Sequence, residues 1–369
     1  MSDVFSFQDA LELAVINSLP LQQEDGFFPA GHNGPYLDPE LSVRNTAHFL
    51  FLIATLFQKT GKSQYLDAGD KAISYLLSSA VRPSGQSFYC RNKVDKDSCN
   101  GLIGQAWVIE ALVKASQVFD RPDCYMVAEE VFLLHPWNES VALWNRVEVD
   151  GTILSFDGTF NHQLWFAAAG SLLNKTPIAR DRAVKFLEKN AAIVQIYSDG
   201  VIFHASPMLG LTHYLKKGVQ PFTKAIKARR KKYRQRDNLY SKSVGYHGFN
   251  LYAFAMLYKE FPEIGMWKSK RFKAILSAPE HSKFIQSLTL SEYGYFYNLS
   301  GIEIAYAYEV FGRGEKEIVA WLDRQFAHTY ENTRNLLTRN ASDTNTAQAR
   351  TYELARFTKN YVLNGEYSI

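Results

Sequence analysis

The stretch Cys99–Phe119, CNGLIGQAWVIEALVKASQVF, opens on small and polar residues and then stays apolar for several helical turns. A helix apolar on nearly every side has to be buried rather than laid on a surface. Similar stretches recur: Ser42–Thr60, Thr159–Leu173, Tyr246–Tyr258, Ser300–Phe311 and Thr346–Phe357. Each is accompanied by a segment with one polar face. These are residues 60–80, Asp123–Leu134, Ala179–Ile193, a Lys-rich segment from Lys268, and Glu315–His328. The amphipathic segment Asp9–Ser18 is left to partner the last. Six greasy helices at intervals of about 50 to 85 residues, alternating with six half-polar ones, predict an inner ring inside an outer ring. The expected fold is all-α, an (α/α)6 toroid formed by residues 1–369 as a single domain. The alternative is an irregular helical protein or a superhelix of helix pairs.

Two segments fall outside the period. Residues 141–158 carry Asp150–Gly151 and residues 197–240 carry Asp199–Gly200, dipeptides that favour tight β-hairpin turns. Both are expected as small insertions at one rim.

Composition narrows the function classes. Of the 369 residues, 46% are hydrophobic and 14% aromatic, enough for a large core, and the net charge is only +4. Much of the basic excess lies in Lys224–Arg236, where eight of thirteen residues are Lys or Arg. That run suits a solvated helix or loop, or a contact with an acidic glycan or an anionic surface. No nucleic-acid-binding motif accompanies it. No Walker loop, GxGxxG or GxSxG elbow is present, and no cofactor is expected. No apolar run approaches a membrane span, and the N-terminus has no basic, then apolar, leader. Cys90, Cys99 and Cys124 lack metal-ligand spacing, so no metal site is expected and reduced thiols in the cytoplasm are the simplest reading.

If the greasy helices run parallel, their N-termini gather at one end, where free N–H groups and polar first-turn residues form a basin. Arg44, Asn45, His48, Gln105, Asn161, His162, Gln163, Tyr246, His247, Asn250, Asn298, Glu303 and Arg350 occupy such starts. Amides, imidazoles and phenols with flat rings (Trp107, Trp165, Tyr295, Tyr297) suit a sugar, whose hydroxyls need polar partners and whose faces need apolar surfaces.

Three pieces carry a resemblance to known families. GQAWVIEAL at Gly104–Leu112 resembles a helix of the unsaturated glucuronyl hydrolases, with Ile103 where those enzymes have Arg. Residues 60–76, TGKSQYLDAGDKAISYL, look like a linker and helix common to six-hairpin glycosidases and N-acylglucosamine 2-epimerases. DGTFNHQLWFAAAG at Asp157–Gly170 is similar in layout to a hydrolase inner helix that begins near a catalytic Asp. The resemblance implies a six-hairpin toroid that acts on oligosaccharides or polysaccharides.

The leading expectation is a glycoside hydrolase acting on short, acidic, uronate-containing oligosaccharides by carboxylate acid–base catalysis. Asp157 and Glu303 are the candidate carboxyls, assisted by His162 or His247. Each has a structural alternative: Asp157 a turn residue, Glu303 part of a capping box with Ser300, the histidines satisfied hydrogen-bonding groups. Arg44 is expected to clamp a substrate carboxylate or to pair with a buried acid. Asn45, His48, Gln105, Trp107, Gln163, Trp165, Tyr246, Asn250, Tyr295 and Tyr297 are expected to bind substrate, with His204 reaching in from the rim. Trp107 and Trp165 could equally be core. The alternatives are an epimerase or lyase using His and Tyr for proton abstraction, and a non-catalytic glycan-binding toroid.

Overall fold

The computed structural model describes residues 7–204, 236–331 and 337–363. The basic run Lys224–Arg236 lies outside them, apart from the backbone of Arg236, as does the insertion from 205 to 235.

Five long inner helices are α2 (Val43–Thr60), α4 (Gly101–Val118), α6 (Phe160–Ser171), α9 (His247–Glu260) and α12 (Ser300–Val310). The sixth is a short helix, α14 (Thr344–Ala349), continued as a 3-10 turn over Arg350–Arg356. Each inner element packs against the next in chain order, and the 3-10 segment packs on both α12 and α2, which closes the ring. The chain is an (α/α)6 toroid.

The outer ring follows the half-polar segments. It holds α1 (Phe7–Ile16), α3 (Ser63–Leu76), α5 (Pro122–Leu134), α7 (Pro177–Lys189), α10 (Lys270–Ser277) and α13 (Glu315–Thr329). Pro122 and Pro177 each open their helix, where a missing N–H has no consequence. α1 covers the last inner element, as its sequence position required. Two further helices, α8 (Arg236–Gly245) and α11 (Ser282–Leu290), are additions that the greasy/half-polar alternation did not anticipate.

The last inner element also departs from expectation, since residues 350–356 wind as 3-10 rather than α. In a 3-10 helix, side chains three apart eclipse. This brings the Arg350 guanidinium to 2.6 Å from Glu353, and the same nitrogen lies 2.6 Å from Glu303 on α12.

The first rim insertion is an antiparallel three-stranded sheet in chain order, β1 (Trp137–Asn138), β2 (Leu143–Val147) and β3 (Ile153–Phe156). Gly151 turns the second hairpin at φ 91°, as the Asp-Gly pair required. β3 ends at Phe156 and hands the chain directly to Asp157 at the start of α6. The second Asp-Gly closes a smaller hairpin, with Ile196 bridged to Ile202.

Candidate active site

Three inner helices fix their preceding loops by the same device. Gln105, on the second turn of α4, accepts from Phe88 N at 2.7 Å and donates to Phe88 O and Cys99 O. Gln163 on α6 accepts from Trp144 N at 3.1 Å and donates to Trp144 O and Asp157 O. His247 opens α9: its Nδ1 accepts from Ile202 N and its Nε2 donates to Ile275 O at 3.0 Å. All three are fully buried. A buried loop has backbone groups that must find partners, and these side chains supply them.

That register sets how the repeats correspond. His247 corresponds to Gln163 rather than to His162, so the counterpart of His162 is Tyr246. Both of these face a cavity of about 180 Å³ at the end of the ring where α4, α6, α9 and α12 begin.

At its wall, His162 Nδ1 lies 2.8 Å from Asp157 Oδ2. Asp157 also accepts from Leu102 N on the neighbouring inner helix and from Thr159 N. Burial by itself would raise its pKa, but the His162 ring and the backbone donors outweigh that and hold it at about 2. A carboxylate only accepts, so Nδ1 of His162 carries the proton of this hydrogen bond, which leaves Nε2 as the nitrogen available to the cavity. Gly101 makes the pair possible. Its φ is +60°, and a Cβ there would stand 2.4 Å from Asp157 Oδ2 and 2.8 Å from His162 Nδ1.

His204 enters from the second insertion. Its backbone N–H donates to Ser243, and its ring lies 4.5 Å from that of Tyr246. Burial, then the neighbouring Lys242 and His162, bring its pKa down to about 3, so it is neutral at physiological pH. The rest of the wall is phenolic and cationic. Tyr36 and Tyr246 share a hydroxyl hydrogen bond at 2.8 Å, and Tyr297 donates to Asn33 at 2.7 Å. Lys242 lies 4.6 Å from the Tyr36 ring centre and 5.0 Å from that of Tyr293. Among the described residues no carboxylate lies within ion-pair distance of it, whereas Lys96 and Arg91 share the fully buried Asp38.

His162, Trp107, His204, Tyr246 and Tyr297 therefore meet at one cavity. Other expected residues lie elsewhere. Arg44 does not face the cavity, because its guanidinium is taken by Glu40, Asn33 and Thr346 and lies over Trp107. His48 is buried behind the wall, stacked at 4.1 Å on Tyr352. Glu303 makes no capping box; it is fully buried beneath Arg350, and burial together with Glu353 raises its pKa well above the usual range. Gln105, Gln163 and His247 are the loop ties already described and do not line the cavity. Asn45 donates to Pro29 O, Trp165 donates to Phe249 O and stacks on that ring, and Tyr295 stacks on His328. Asn250 is buried in α9 away from the wall.

The main residues missed are Asn33, Tyr36 and Asp38, from a Gly/Pro-rich segment that reads as an ordinary connection. Its signal is HNGPYLD: Asn33, Gly34 and Leu37 all adopt left-handed backbone, which folds the segment back over the mouth. Asp343 secures it, accepting from His32 N and Gly34 N as well as capping α14.

No family model matches the chain. Among solved structures it resembles cellobiose 2-epimerase from Bacillus thermoamylovorans B4167, with a TM-score of 0.64 and 10% identity over 95% of this chain and 97% of that one. It resembles a D-mannose isomerase equally, with a TM-score of 0.64 and 15% identity over the same shares. The GH76 α-1,6-mannanase from Salegentibacter sp. HEL1_6 follows, with a TM-score of 0.56 and 11% identity over 95% and 98%. These likenesses carry the fold. In sequence, the chain is 38% identical over 360 residues to archaeal glycosylation protein Q of Haloferax volcanii, covering 95% of this chain and 97% of that protein. At that identity over nearly the full length of both, the chain belongs to the archaeal glycosylation protein Q family.

Proposed function

We propose that the protein is a carbohydrate-active enzyme of glycan processing that moves a proton on the carbon next to a sugar carbonyl, as an epimerase or isomerase. The observation that carries this reading is the Asp157–His162 pair, with Nε2 directed at the cavity and neutral His204 on the same wall. His162 Nε2 takes the proton. Asp157 fixes the ring and stabilises the imidazolium that results, and the Tyr246 hydroxyl, free to donate when it accepts from Tyr36, serves the developing enolate oxygen. The His162 imidazolium then gives the proton back to the enediolate, which regenerates the base, and neutral His204 donates a hydrogen bond that holds the intermediate.

Hydrolysis, the leading expectation from sequence, needs a protonated carboxyl at the leaving oxygen. Asp157 is held ionised, Asp38 is enclosed by Lys93, Lys96 and Arg91, and Glu303 sits beneath Arg350. The neighbouring mannanase has inactive variants in which two successive aspartates are replaced, and this chain has no two successive aspartates. The epimerase and isomerase among the neighbours are consistent with the proton-transfer reading. A uronate substrate is supported by Lys242, a half-buried cation of the wall that no carboxylate among the described residues pairs within ion-pair distance.

The test is proton NMR in D2O with hexuronates and neutral aldoses. Deuterium should enter at the carbon next to the carbonyl with the wild-type protein and not with His162→Asn. Lys242→Met should raise KM for the uronate alone. Release of a free sugar from a glycoside without deuterium uptake would overturn the reading.

A further inference from the structure

The ring has a second cavity, of about 330 Å³, at the opposite end. The two are set out by one helix: Ile103 and Trp107 of α4 face the mouth, while Glu110, Val113, Lys114 and Gln117 face the far cavity. These are positions three and four apart on a single face, the face directed at the ring axis. Between the cavities runs a chain of rings: Trp107 to His48 at 5.3 Å, His48 to Tyr352 at 4.1 Å, and Tyr352 to Phe51 at 5.7 Å. Phe51 forms part of the far wall.

The far wall has two kinds of unmet chemistry. Glu110 is 1% exposed; one of its oxygens accepts from Arg356, and the other, Oε2, has no hydrogen-bond partner among the described residues. Buried carboxylate oxygens are costly when left unsatisfied, so this one calls for a donor. The second is positive charge. Lys114 and Arg356 both lie over the Phe51 ring, at 5.9 and 4.5 Å, and Lys259 lines the same space. Arg356 has Glu110, and Glu260 pairs with Arg180, but among the described residues Lys114 has only the neutral Gln58 amide, at 2.7 Å. Burial, then Arg356 and Lys59, bring the Lys114 pKa down to about 8, the sign of a cation short of counter-charge. The inner helices α4, α6 and α9 also end here, so carbonyl acceptors surround the rim.

We infer that this cavity is a second binding site, separate from the mouth, for a small anionic polyol such as a sugar acid or a sugar phosphate. Its anionic group meets Lys114, Arg356 and Lys259, and its hydroxyls donate to Glu110 Oε2 and the helix-end carbonyls. A neutral sugar leaves Lys114 unpaired, and inorganic phosphate leaves Glu110 unpaired. Either partial ligand therefore binds more weakly than the whole.

The experiment is isothermal titration calorimetry on the full chain carrying His162→Asn and Lys242→Met, which disable the mouth. The probes are D-glucuronate, D-glucose 6-phosphate, D-glucose and inorganic phosphate. One of the two anionic sugars should bind with 1:1 stoichiometry, and which of them does so identifies the anionic group. Adding Lys114→Gln should weaken binding at least tenfold, and Lys114→Glu should abolish it. Lys114 is half-buried, and an unchanged melting temperature will show that these variants fold. Glucose and phosphate should each bind at least tenfold more weakly than the sugar that carries both groups. The inference fails if the mouth-disabled protein binds none of the probes, if Lys114→Gln leaves affinity unchanged, or if phosphate alone binds as well as the sugar phosphate.

Discussion

His162 and Gln163 are adjacent on α6, yet they belong to different parts of the molecule. His162 points into the mouth, where its free nitrogen can reach a substrate. Gln163 points back toward the rim sheet and spends its amide on the Trp144 backbone. Successive residues on a helix are turned by about 100°, so one first turn can serve the cavity with one side chain and hold the wall with the next. The same division recurs at α9, where Tyr246 faces the cavity and His247 ties Ile202. Polar residues at an inner-helix start are thus of two kinds, and residue type does not separate them.

That division can be broken at four points, from the largest effect to the smallest. On the cavity side, His162→Asn should cut turnover by about 10²–10⁴-fold, the usual contribution of a general base, while the melting temperature stays near wild type. A loss of stability in place of activity would put His162 with the ties. Gly101→Ala intrudes on both functions, since its Cβ would collide with Asp157 and His162 on a left-handed backbone. Backbone strain and overpacking together should cost about 2–6 kcal/mol in chemical denaturation and lower kcat as the pair is displaced.

Gln105→Ala acts on the tie side alone. It leaves Phe88 N and O buried without partners and should destabilise the fold by about 2–4 kcal/mol, with kcat of the folded fraction close to wild type. The smallest effect is expected of His247→Gln, which installs the residue used at the other two ties. Burial lowers the His247 pKa to about 4, while an unfolded imidazole protonates near 6.5. The unfolded chain therefore binds more protons between those values, and stability falls as pH drops from 6.5 toward 4. Each unit of that window costs up to about 1.4 kcal/mol, and the glutamine variant should lack that contribution in melts at pH 7 and pH 5. An unchanged acid sensitivity would show that His247 does not carry it.

The ring was legible in the residues because burial on all sides leaves a direct trace. A helix such as Val43–Thr60, buried along nearly its whole length, must be apolar all round, and six such stretches leave few other architectures. The hairpins at Asp150–Gly151 and Asp199–Gly200 were legible because left-handed turns restrict residue type. The site was legible only in outline. His162, Trp107, His204, Tyr246 and Tyr297 do face one cavity, but Arg44, Gln105, His247 and Glu303, read by the same rule, face away from it. Arg44, in keeping with the second of its two readings, and Glu303 each answer a buried partner, Glu40 and Arg350, four and forty-seven residues away. Tyr36 and Asp38 were passed over because a loop has no periodicity to reveal which way it folds.

The sequence by itself determined the alternation of buried and half-buried helices, their order around the ring and the turns at the rim. All of these rest on local patterns of burial and backbone geometry. Only the tertiary structure decided which first-turn residues reach the cavity, that Asp157 is locked as a carboxylate against His162, and that a second cavity opens at the far end. Those depend on side-chain direction and on partners distant in the chain, and no spacing along one strand of sequence records them.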